Sequence, residues 1–327
     1  MQVCESIGNN PTAAQVADGW MMIFPGQGSP AIGMGSDVCD ISPGTTAVWD
    51  CASDVSGVDV RKLCQKGPMT RLTKTVFQQL AVTTVNVAML TELRDRCYVL
   101  ETGYAGHSAG EYTALYAAGV MDMETLFRAI TLRASIMQEL AEQRKGVMYV
   151  VKPYSHDALR NQIENMGLAE VLNVCCDNGH QQQVVGGELT AVKTLVNQLA
   201  RSGVNTVKLS VNGAWHTPLM ADGVAQMRQA LADLPFSPPI YPVIMNSSGK
   251  AESNVAQIKE NLALHLTHTV RWRESMDRWA QMGHRRYLEV SNKKILGHLL
   301  AEHYGSAEGY HIQHYYHVAG NRVQQAG

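Results

Sequence analysis

The segment that most constrains the fold runs CYVLETGYAGHSAGEYTALYAAG over residues 97–119. Its first part, 97–105, predicts a buried strand, and the residues after Ser108 predict a helix. Gly106 to Gly110 fit the pattern G-x-S-x-G, in which glycines permit a sharp strand-to-helix turn that exposes the serine hydroxyl. Ser108 is therefore a candidate nucleophile, with a small residue in a tight turn as the alternative.

Strands and helices alternate on both sides of this turn. WMMIF (20–24) predicts a buried strand, and apolar periodicity predicts helices over 78–96 and 122–142. Near the other end, YPVIMN predicts a strand and the residues beyond it a helical region. This order favours a large α/β-hydrolase-like domain with a mostly parallel sheet and helices on both faces.

A second unit interrupts the large domain. Residues 143–207 predict the order β-α-β-β-α-β, which is typical of a small ferredoxin-like α+β domain. The predicted organisation is a polar N-terminal arm at 1–19, a large catalytic domain at 20–142 and 208–327, and the inserted small domain at 143–207.

A nucleophilic serine needs a base, and the chain has 12 histidines. His216 is the best placed, because VNGAWHTPL sets it at the end of a predicted strand, where α/β folds build their sites. His107 adjoins Ser108, so its side chain is expected to diverge from the hydroxyl and to pack or hydrogen bond elsewhere. The other histidines remain open as candidates.

Arg133 lies on the apolar stripe of the predicted helix 122–142. Leu126, Ile130, Met137 and Leu140 share that face at helical spacing. A buried guanidinium is costly unless an anion meets it. The anion is either a structural Asp or Glu, or a substrate carboxylate held by two hydrogen bonds.

Composition and charge exclude several classes of function. The 327 residues carry 27 Lys and Arg against 29 Asp and Glu, a net charge of −2 that favours neither nucleic acid nor an anionic membrane as partner. No apolar run approaches the roughly 20 residues that cross a bilayer, and the polar start lacks a secretory signal. Seven cysteines without a C-x-x-C pair predict a cytoplasmic setting and no zinc site. The tail YHIQHYYH (310–317) favours a polar segment over a metal site.

Six motifs together resemble one enzyme family. They are FPGQGSP, GHSAGEYTAL, TLRASIMQ at 131–138, NGHQQQVVGG at 178–187, GAWH at 213–216 and VRW at 270–272. Over roughly residues 20–300 the chain resembles the malonyl-CoA:acyl-carrier-protein transacylases, which include the fatty-acid enzyme and the stand-alone, trans-acting acyltransferases of polyketide synthases.

The resemblance implies roles for residues that match these motifs. Ser108 would be the acylated nucleophile, and His216 the base that takes its proton and later activates an incoming thiol. Gln27 and the backbone N–H of Ala109 would form the oxyanion hole. Arg133 would bind the free carboxylate of a malonyl group.

The same resemblance assigns further residues to the substrate site: Asn178 and Gln182 on the small domain, and His107, Trp215 and Arg271 on the large one. The bulk of Trp215 would restrict the acyl α-carbon, which favours a malonyl over a methylmalonyl group. An acetyl group would leave the guanidinium of Arg133 unpaired, and this adds selectivity.

The implied reaction is ping-pong acyl transfer. Malonyl-CoA would acylate Ser108, coenzyme A would leave, and the phosphopantetheine thiol of an acyl carrier protein would then take the acyl group. The coenzyme A thioester is a substrate, and the resemblance implies no bound cofactor or metal.

Departures from the family pattern favour a specialised biosynthetic pathway. Ala109 stands where the family commonly has Leu, Ile or Gln, so this position does not report the acyl group. Arg271 stands where the fatty-acid enzyme has glutamine in VRW. Its backbone is expected to orient His216, and its charge near the site would suit a polar extender such as hydroxymalonyl or aminomalonyl. His180 replaces the proline of N-x-P-x-Q, and EVSNKKIL (289–296) lacks a Gly-Pro-Gly turn.

A basic stretch near the C-terminal end has two interpretations. Seven Lys and Arg lie from Arg271 to Lys294, against three acidic residues. They fit either a docking face for an acidic carrier protein or an ordinary solvated helix surface.

Two alternative functions remain open from the sequence. In an acyl hydrolase, water rather than a carrier thiol would resolve the acyl-serine, although Arg133 argues against uncharged acyl chains as substrates. In a non-catalytic subunit, the chain would only bind a carrier protein, although the combined presence of Gln27, Ser108, Arg133 and His216 argues against this.

Overall fold

A parallel sheet lies at the centre of the larger part of the chain. The computed structural model describes residues 16, 18–28, 30–305, 307 and 309–315. The strands are β1 (Trp20–Phe24), β2 (Glu101–Gly106), β3 (Gly146–Lys152), β4 (Leu172–Asp177), β5 (Gln183–Glu188), β6 (Asn205–Lys208), β7 (Val243–Ile244), β8 (Ala251–Glu252), β9 (Arg286–Val290) and β10 (His311–Tyr315). Across the described residues the order is β10-β9-β1-β2, and all three pairings are parallel. The predicted parallel sheet is confirmed.

Helices pack around this sheet. They are α1 (Pro43–Ser56), α2 (Val60–Lys66), α3 (Met69–Leu72), α4 (Thr75–Arg96), α5 (Gly110–Ala117), α6 (Met123–Gln143), α7 (His156–Asn165), α8 (Leu189–Arg201), α9 (Asp222–Ala232), α10 (Val255–Leu264), α11 (Trp272–Gln281) and α12 (Leu296–Tyr304). α6 begins where the Asp122 carboxylate caps the N–H of Thr125, and its predicted apolar stripe is buried, Arg133 included. None of the described helices combines the length and apolarity needed to cross a membrane.

The small domain is an antiparallel sheet with two helices and its own apolar core. The strand order is β4-β5-β3-β6, and α7 and α8 lie in the connections, as predicted for a ferredoxin-like unit. Its strands run from Gly146 to Lys208; the domain boundaries at 143 and 207 stay a prediction. The N–H of Asp177 donates to the carbonyl of Val270 at 2.9 Å, so the end of β4 is joined to the large domain beside the site.

The structure differs from the predicted elements at the C-terminal end. The helical region predicted there also contains β9 and β10, and the predicted strand YPVIMN shrinks to β7. Apolar periodicity did not predict β9 because this strand includes the buried polar residue Glu289. The side-chain oxygens of Glu289 accept the N–H groups of Ile295, Leu296 and Gly297 where α12 begins.

The ends of the chain fall largely outside the description. Most of the predicted N-terminal arm lies outside the described residues, as does His317 of the histidine-rich tail. Residues 311–315 of that tail, predicted as a polar segment, form the edge strand β10. The imidazole of His314 is 2.7 Å from the carbonyl oxygen of Ser291.

Candidate active site

Ser108 lies in the turn between β2 and α5. Its φ of +52° is in the left-handed region, which a residue with a side chain rarely adopts unless its neighbours fix the turn. A Cβ at Gly110 would lie 2.0 Å from the carbonyl oxygen of Phe24, so only glycine permits α5 to start this close to β1. The backbone thereby holds the serine hydroxyl at the carboxyl end of the parallel sheet.

The imidazole of His216 lies beside that hydroxyl. His216 Nε2 is 2.9 Å from Ser108 Oγ, and His216 Nδ1 is 2.7 Å from the carbonyl oxygen of His265. A carbonyl oxygen only accepts, so Nδ1 carries the proton and Nε2 is left to accept the serine proton. The pair has the geometry of a serine nucleophile and its general base, with a backbone carbonyl as the group that orients the base.

Burial sets the protonation state of this base. It lowers the pKa of His216 well below the ordinary 6.5, and the nearby His265 and the positive charge of Arg133 lower it further. The imidazole is therefore neutral at neutral pH, which is the form that accepts a proton from Ser108.

Arg133 points its guanidinium at the same hydroxyl. The side chain is fully buried; Nη2 donates to Ser108 Oγ at 3.3 Å and Nη1 donates to Gln79 Oε1. Within the described part of the chain no carboxylate lies within ion-pair distance of it, and its Nε has no partner. No Asp or Glu pairs directly with it, although Glu111 acts on it from beyond ion-pair distance, so the buried cation can meet an anion that enters beside Ser108.

The loop at Gly26 and Gln27 packs against the turn that holds Ser108. Gly26 packs so tightly on the turn that a Cβ there would lie 2.3 Å from the His107 carbonyl oxygen and 2.9 Å from the Ala109 nitrogen. Gln27, the next residue, lies on the wall of the same cavity as Ser108, and its role with the Ala109 N–H in an oxyanion hole stays a prediction. The side-chain amide of Gln27 donates to Thr75 Oγ1 at 3.1 Å, so its backbone N–H is the donor available to a substrate oxygen.

A cavity of about 450 Å³ opens over Ser108 and His216. Five other predicted site residues lie on its wall: Gln27, His107, Asn178, Gln182 and Trp215. His107 Nε2 is 2.8 Å from Asn178 Oδ1, which ties the large domain to the small one across the cavity. His107 thus diverges from the serine hydroxyl and makes a hydrogen bond elsewhere, as expected from its position.

The prediction for Arg271 is wrong on both counts. The carbonyl that receives His216 Nδ1 belongs to His265, because the chain after α10 brings that residue, and not VRW, under the imidazole. The Arg271 guanidinium is half-exposed, pairs with Glu274 at 3.0 Å and does not line the cavity. Arg271 therefore adds no positive charge to the cavity wall, and the argument for a polar extender that rested on Arg271 is withdrawn.

The Lys and Arg residues of the basic stretch from Arg271 to Lys294 do not share one environment. Arg273 is 2.9 Å from Asp177, Arg285 donates to the carbonyl oxygens of Ala280 and His284, and Arg286 donates to that of Asp18. These cations bind internal partners and do not form one surface. Lys294, in contrast, lies on the wall of the cavity over Ser108.

Four residues near the reacting atoms were missed in the sequence. Asn246 Oδ1 accepts the Ser108 N–H at 2.8 Å, and the N–H of Asn246 donates to Glu111 Oε1 at 2.6 Å. Glu111 Oε2 lies 2.9 Å from Nδ1 of His265, the residue that orients His216. The fourth is Gln79, the partner of Arg133. A buried polar residue on an otherwise apolar helix was the available signal for Gln79 and Glu111.

Comparisons with known proteins identify the family of this chain. The family model of the acyl transferase domain matches residues 21–320. The chain is 30% identical over 299 residues to the malonyl CoA-acyl carrier protein transacylase of Bacillus subtilis, covering 89% of this chain and 75% of that one. Among solved structures, the malonyl-CoA:acyl carrier protein transacylase of Xanthomonas oryzae pv. oryzae superposes with a TM-score of 0.85 at 30% identity, covering 91% of this chain and 94% of that one.

A further solved structure is a complex. It holds a type II polyketide synthase acyl-carrier protein with its malonyl-transacylase, and the matched chain gives a TM-score of 0.85 at 28% identity, covering 91% of this chain and 96% of that one. Together with the family model and the elbow, base and guanidinium described above, these likenesses show that the chain belongs to the acyl transferase domain family.

Proposed function

We propose that this enzyme transfers a malonyl group from coenzyme A to the phosphopantetheine thiol of an acyl carrier protein, in fatty-acid or polyketide synthesis. One observation carries the proposal: His216 Nε2 and Arg133 Nη2 both lie within hydrogen-bonding distance of Ser108 Oγ, at 2.9 and 3.3 Å. A nucleophile, its base and an uncompensated cation therefore meet at one point. The names of the relatives support the same reaction.

In the first half-reaction Ser108 Oγ attacks the thioester carbonyl carbon. Its proton passes to His216 Nε2, and the negative charge on the carbonyl oxygen is met by the backbone N–H groups of Gln27 and Ala109. The carbon–sulfur bond breaks, and coenzyme A leaves as a thiol with the proton that His216 held. A malonyl ester of Ser108 remains.

The second half-reaction reverses these steps with another thiol. His216 takes the proton of the phosphopantetheine thiol, and the sulfur attacks the ester carbonyl. Ser108 leaves and recovers the proton from His216, and the malonyl thioester of the carrier protein is released. The atoms and protons of the reaction balance with only this chain, malonyl-CoA and the thiol of the carrier protein.

Arg133 selects the acyl group in this scheme. A malonyl carboxylate beside Ser108 pairs with the buried guanidinium, whereas an acetyl group leaves that cation unpaired. Trp215 limits the room for an α-substituent, and Asn178, Gln182 and His107 form the wall along which the pantetheine arm lies. We place the reaction in the cytoplasm, because the cysteines in the described residues are free thiols.

The test is intact-protein mass spectrometry with malonyl-CoA, acetyl-CoA and methylmalonyl-CoA, with and without a holo carrier protein. We expect a malonyl adduct on the wild type that passes to the carrier. Ser108→Ala is expected to show none, and the exposed Ser253→Ala, far along the chain, is the matched control.

Other outcomes identify the alternatives. Release of free malonate at a rate that the carrier does not change indicates an acyl hydrolase. Absence of any adduct on the wild type, with the carrier still bound, indicates a non-catalytic binding subunit. Either result overturns the proposal.

A further inference from the structure

Two histidines and an aspartate meet beside the cavity, although His180 and Asp277 are 97 positions apart in the sequence. His180, Asp277 and His303 each offer one metal-ligating atom, and these three atoms lie within 4.8 Å of one another. His303 Nε2 is 2.9 Å from Asp277 Oδ1, and the rings of His180 and His303 stack with centroids 4.6 Å apart. Spacing in the sequence predicted no metal site, because three different elements supply these residues.

The environment of His303 leaves its imidazole free to change tautomer. Its side chain is only 3% exposed, and its Nδ1 is buried without a hydrogen-bond partner, so the imidazole has one of its two polar atoms unsatisfied. It lines a separate small cavity of about 30 Å³ together with His180 and Glu302. That volume is sufficient for an ion or a water molecule.

We propose that His180, His303 and Asp277 bind one divalent transition-metal ion of the zinc class. The ion takes the place of the proton between His303 Nε2 and Asp277 Oδ1, and that proton moves to His303 Nδ1, so the ligand is a neutral imidazole. His180 is exposed, so its ring is free to tilt toward the same ion. Two imidazoles and one carboxylate are a ligand set that suits Zn²⁺, and water completes the four positions.

The neighbouring charges leave this site accessible to a cation. Arg273 approaches Asp277, but its Nη1 is 3.5 Å from Oδ2, while its Nε is held at 2.9 Å by Asp177. Oδ1 of Asp277 remains directed at His303. Lys152 pairs with Glu302 at 2.6 Å, so the other nearby cation is also held by a carboxylate.

The position of the site gives the ion a structural effect. His180 belongs to the turn between β4 and β5, whose Asn178 and Gln182 line the active cavity, whereas Asp277 is on α11 and His303 on α12. A bound ion would therefore fasten the small domain to two helices of the large domain beside the cavity over Ser108. Metal binding itself does not depend on the function proposed above.

The test is equilibrium dialysis of the full chain against Zn²⁺, with bound metal counted per chain. We compare the wild type, His180→Ala, Asp277→Asn and the control His156→Ala, which removes a different, partly buried histidine of the small domain. We expect His180→Ala to bind one ion fewer than the wild type and His156→Ala, and Asp277→Asn to bind that ion at least tenfold more weakly. Subtraction removes any ion held by other histidines.

A second measurement keeps the result independent of folding. Zn²⁺ is expected to raise the melting temperature of the wild type and His156→Ala but not that of His180→Ala, while all three melt at similar temperatures with a chelator present. Equal stoichiometry and affinity in the wild type and His180→Ala, or no binding by the wild type, would overturn the proposal.

Discussion

The side-chain carbonyl of Asn246 accepts the backbone N–H of Ser108, with an N···O distance of 2.8 Å. Asn246 Nδ2 donates to the carbonyl of Gly106 at 2.8 Å, so one side chain bridges both sides of the strained turn. Replacing it with alanine leaves two buried backbone groups unpaired, each at a cost of about 1–3 kcal/mol. We expect Asn246→Ala to lower the rate of acyl-serine formation about 10- to 100-fold and to lower the free energy of unfolding.

Mass spectrometry of malonyl loading and urea titration measure these two effects. Asn161→Ala, an exposed asparagine on α7, is the matched control and is expected to behave as the wild type. A fully active, fully stable Asn246→Ala would show that the turn holds its shape without this bridge.

Gln79 is expected to control whether Arg133 is available to a substrate. The Gln79 side chain accepts a hydrogen bond from Arg133 Nη1 while remaining uncharged. In Gln79→Glu a buried carboxylate would pair with the guanidinium permanently, and a malonyl carboxylate would then meet a neutralised site. We expect loading from malonyl-CoA to fall roughly 100-fold, about 2.7 kcal/mol, with a much smaller loss from acetyl-CoA.

Gln79→Met separates charge from geometry, because it removes the acceptor without adding a negative charge. It is expected to lose less malonyl loading than Gln79→Glu. Equal losses in the two variants would mean that Gln79 acts through shape alone.

Gly110 is expected to tolerate no side chain. A Cβ there would lie 2.0 Å from the Phe24 carbonyl oxygen. This oxygen belongs to the backbone, which cannot move aside as the end of a flexible side chain can. Gly110→Ala is expected to lower the free energy of unfolding by about 3 kcal/mol or more, measured by urea titration. At Gly179 a Cβ meets nothing within 4 Å, so Gly179→Ala is the control and its stability should match the wild type.

Short sequence patterns predicted those parts of the site that depend on neighbouring residues in the chain. The strand, turn and helix around Ser108 follow from one continuous segment, and helical spacing alone placed Arg133 on a buried face. The antiparallel small domain followed from the order of its strands and helices. In each case the contacts that decide the structure lie within one element or between consecutive elements.

Contacts between residues far apart in the chain could not be predicted from sequence patterns. Asn246 reaches Ser108 from 138 residues away, and Gln79 reaches Arg133 across 54. Nothing in VRW indicated that His265 rather than Arg271 would lie under His216, because that choice depends on how the chain turns after α10. The same reason hid the grouping of His180, Asp277 and His303.

The acid limb of serine reactivity is expected to lie below pH 6.5. Burial and the positive charge of Arg133 both disfavour the imidazolium form of His216 and lower its pKa. Removing that charge in Arg133→Met should raise the pKa of His216 and move the limb to higher pH. The rate of Ser108 modification by an uncharged sulfonyl fluoride measures this without a substrate carboxylate. An unmoved limb would show that Arg133 does not act on the base.

Glu111 is expected to make the folded protein less stable as pH rises. Burial raises its pKa from 4.5 to about 8, so between these values the folded state holds a proton that the unfolded state has lost. Stability falls with pH wherever the folded state binds more protons, by at most about 1.4 kcal/mol per pH unit for one group. The buried His216 and His265 have lowered pKa values and act in the opposite direction, but only below their ordinary 6.5.

The interval from pH 6.5 to 8 therefore isolates Glu111. Urea titrations across it should show the free energy of unfolding declining in the wild type and staying level in Glu111→Gln, which keeps an acceptor for the Asn246 N–H but cannot ionise. The neutral acid also fits the arrangement at the site, because Oε1 accepts the Asn246 N–H while Oε2 lies 2.9 Å from the neutral His265 Nδ1 without hydrogen-bond geometry. An identical decline in Glu111→Gln would mean that this carboxyl is already ionised in the fold.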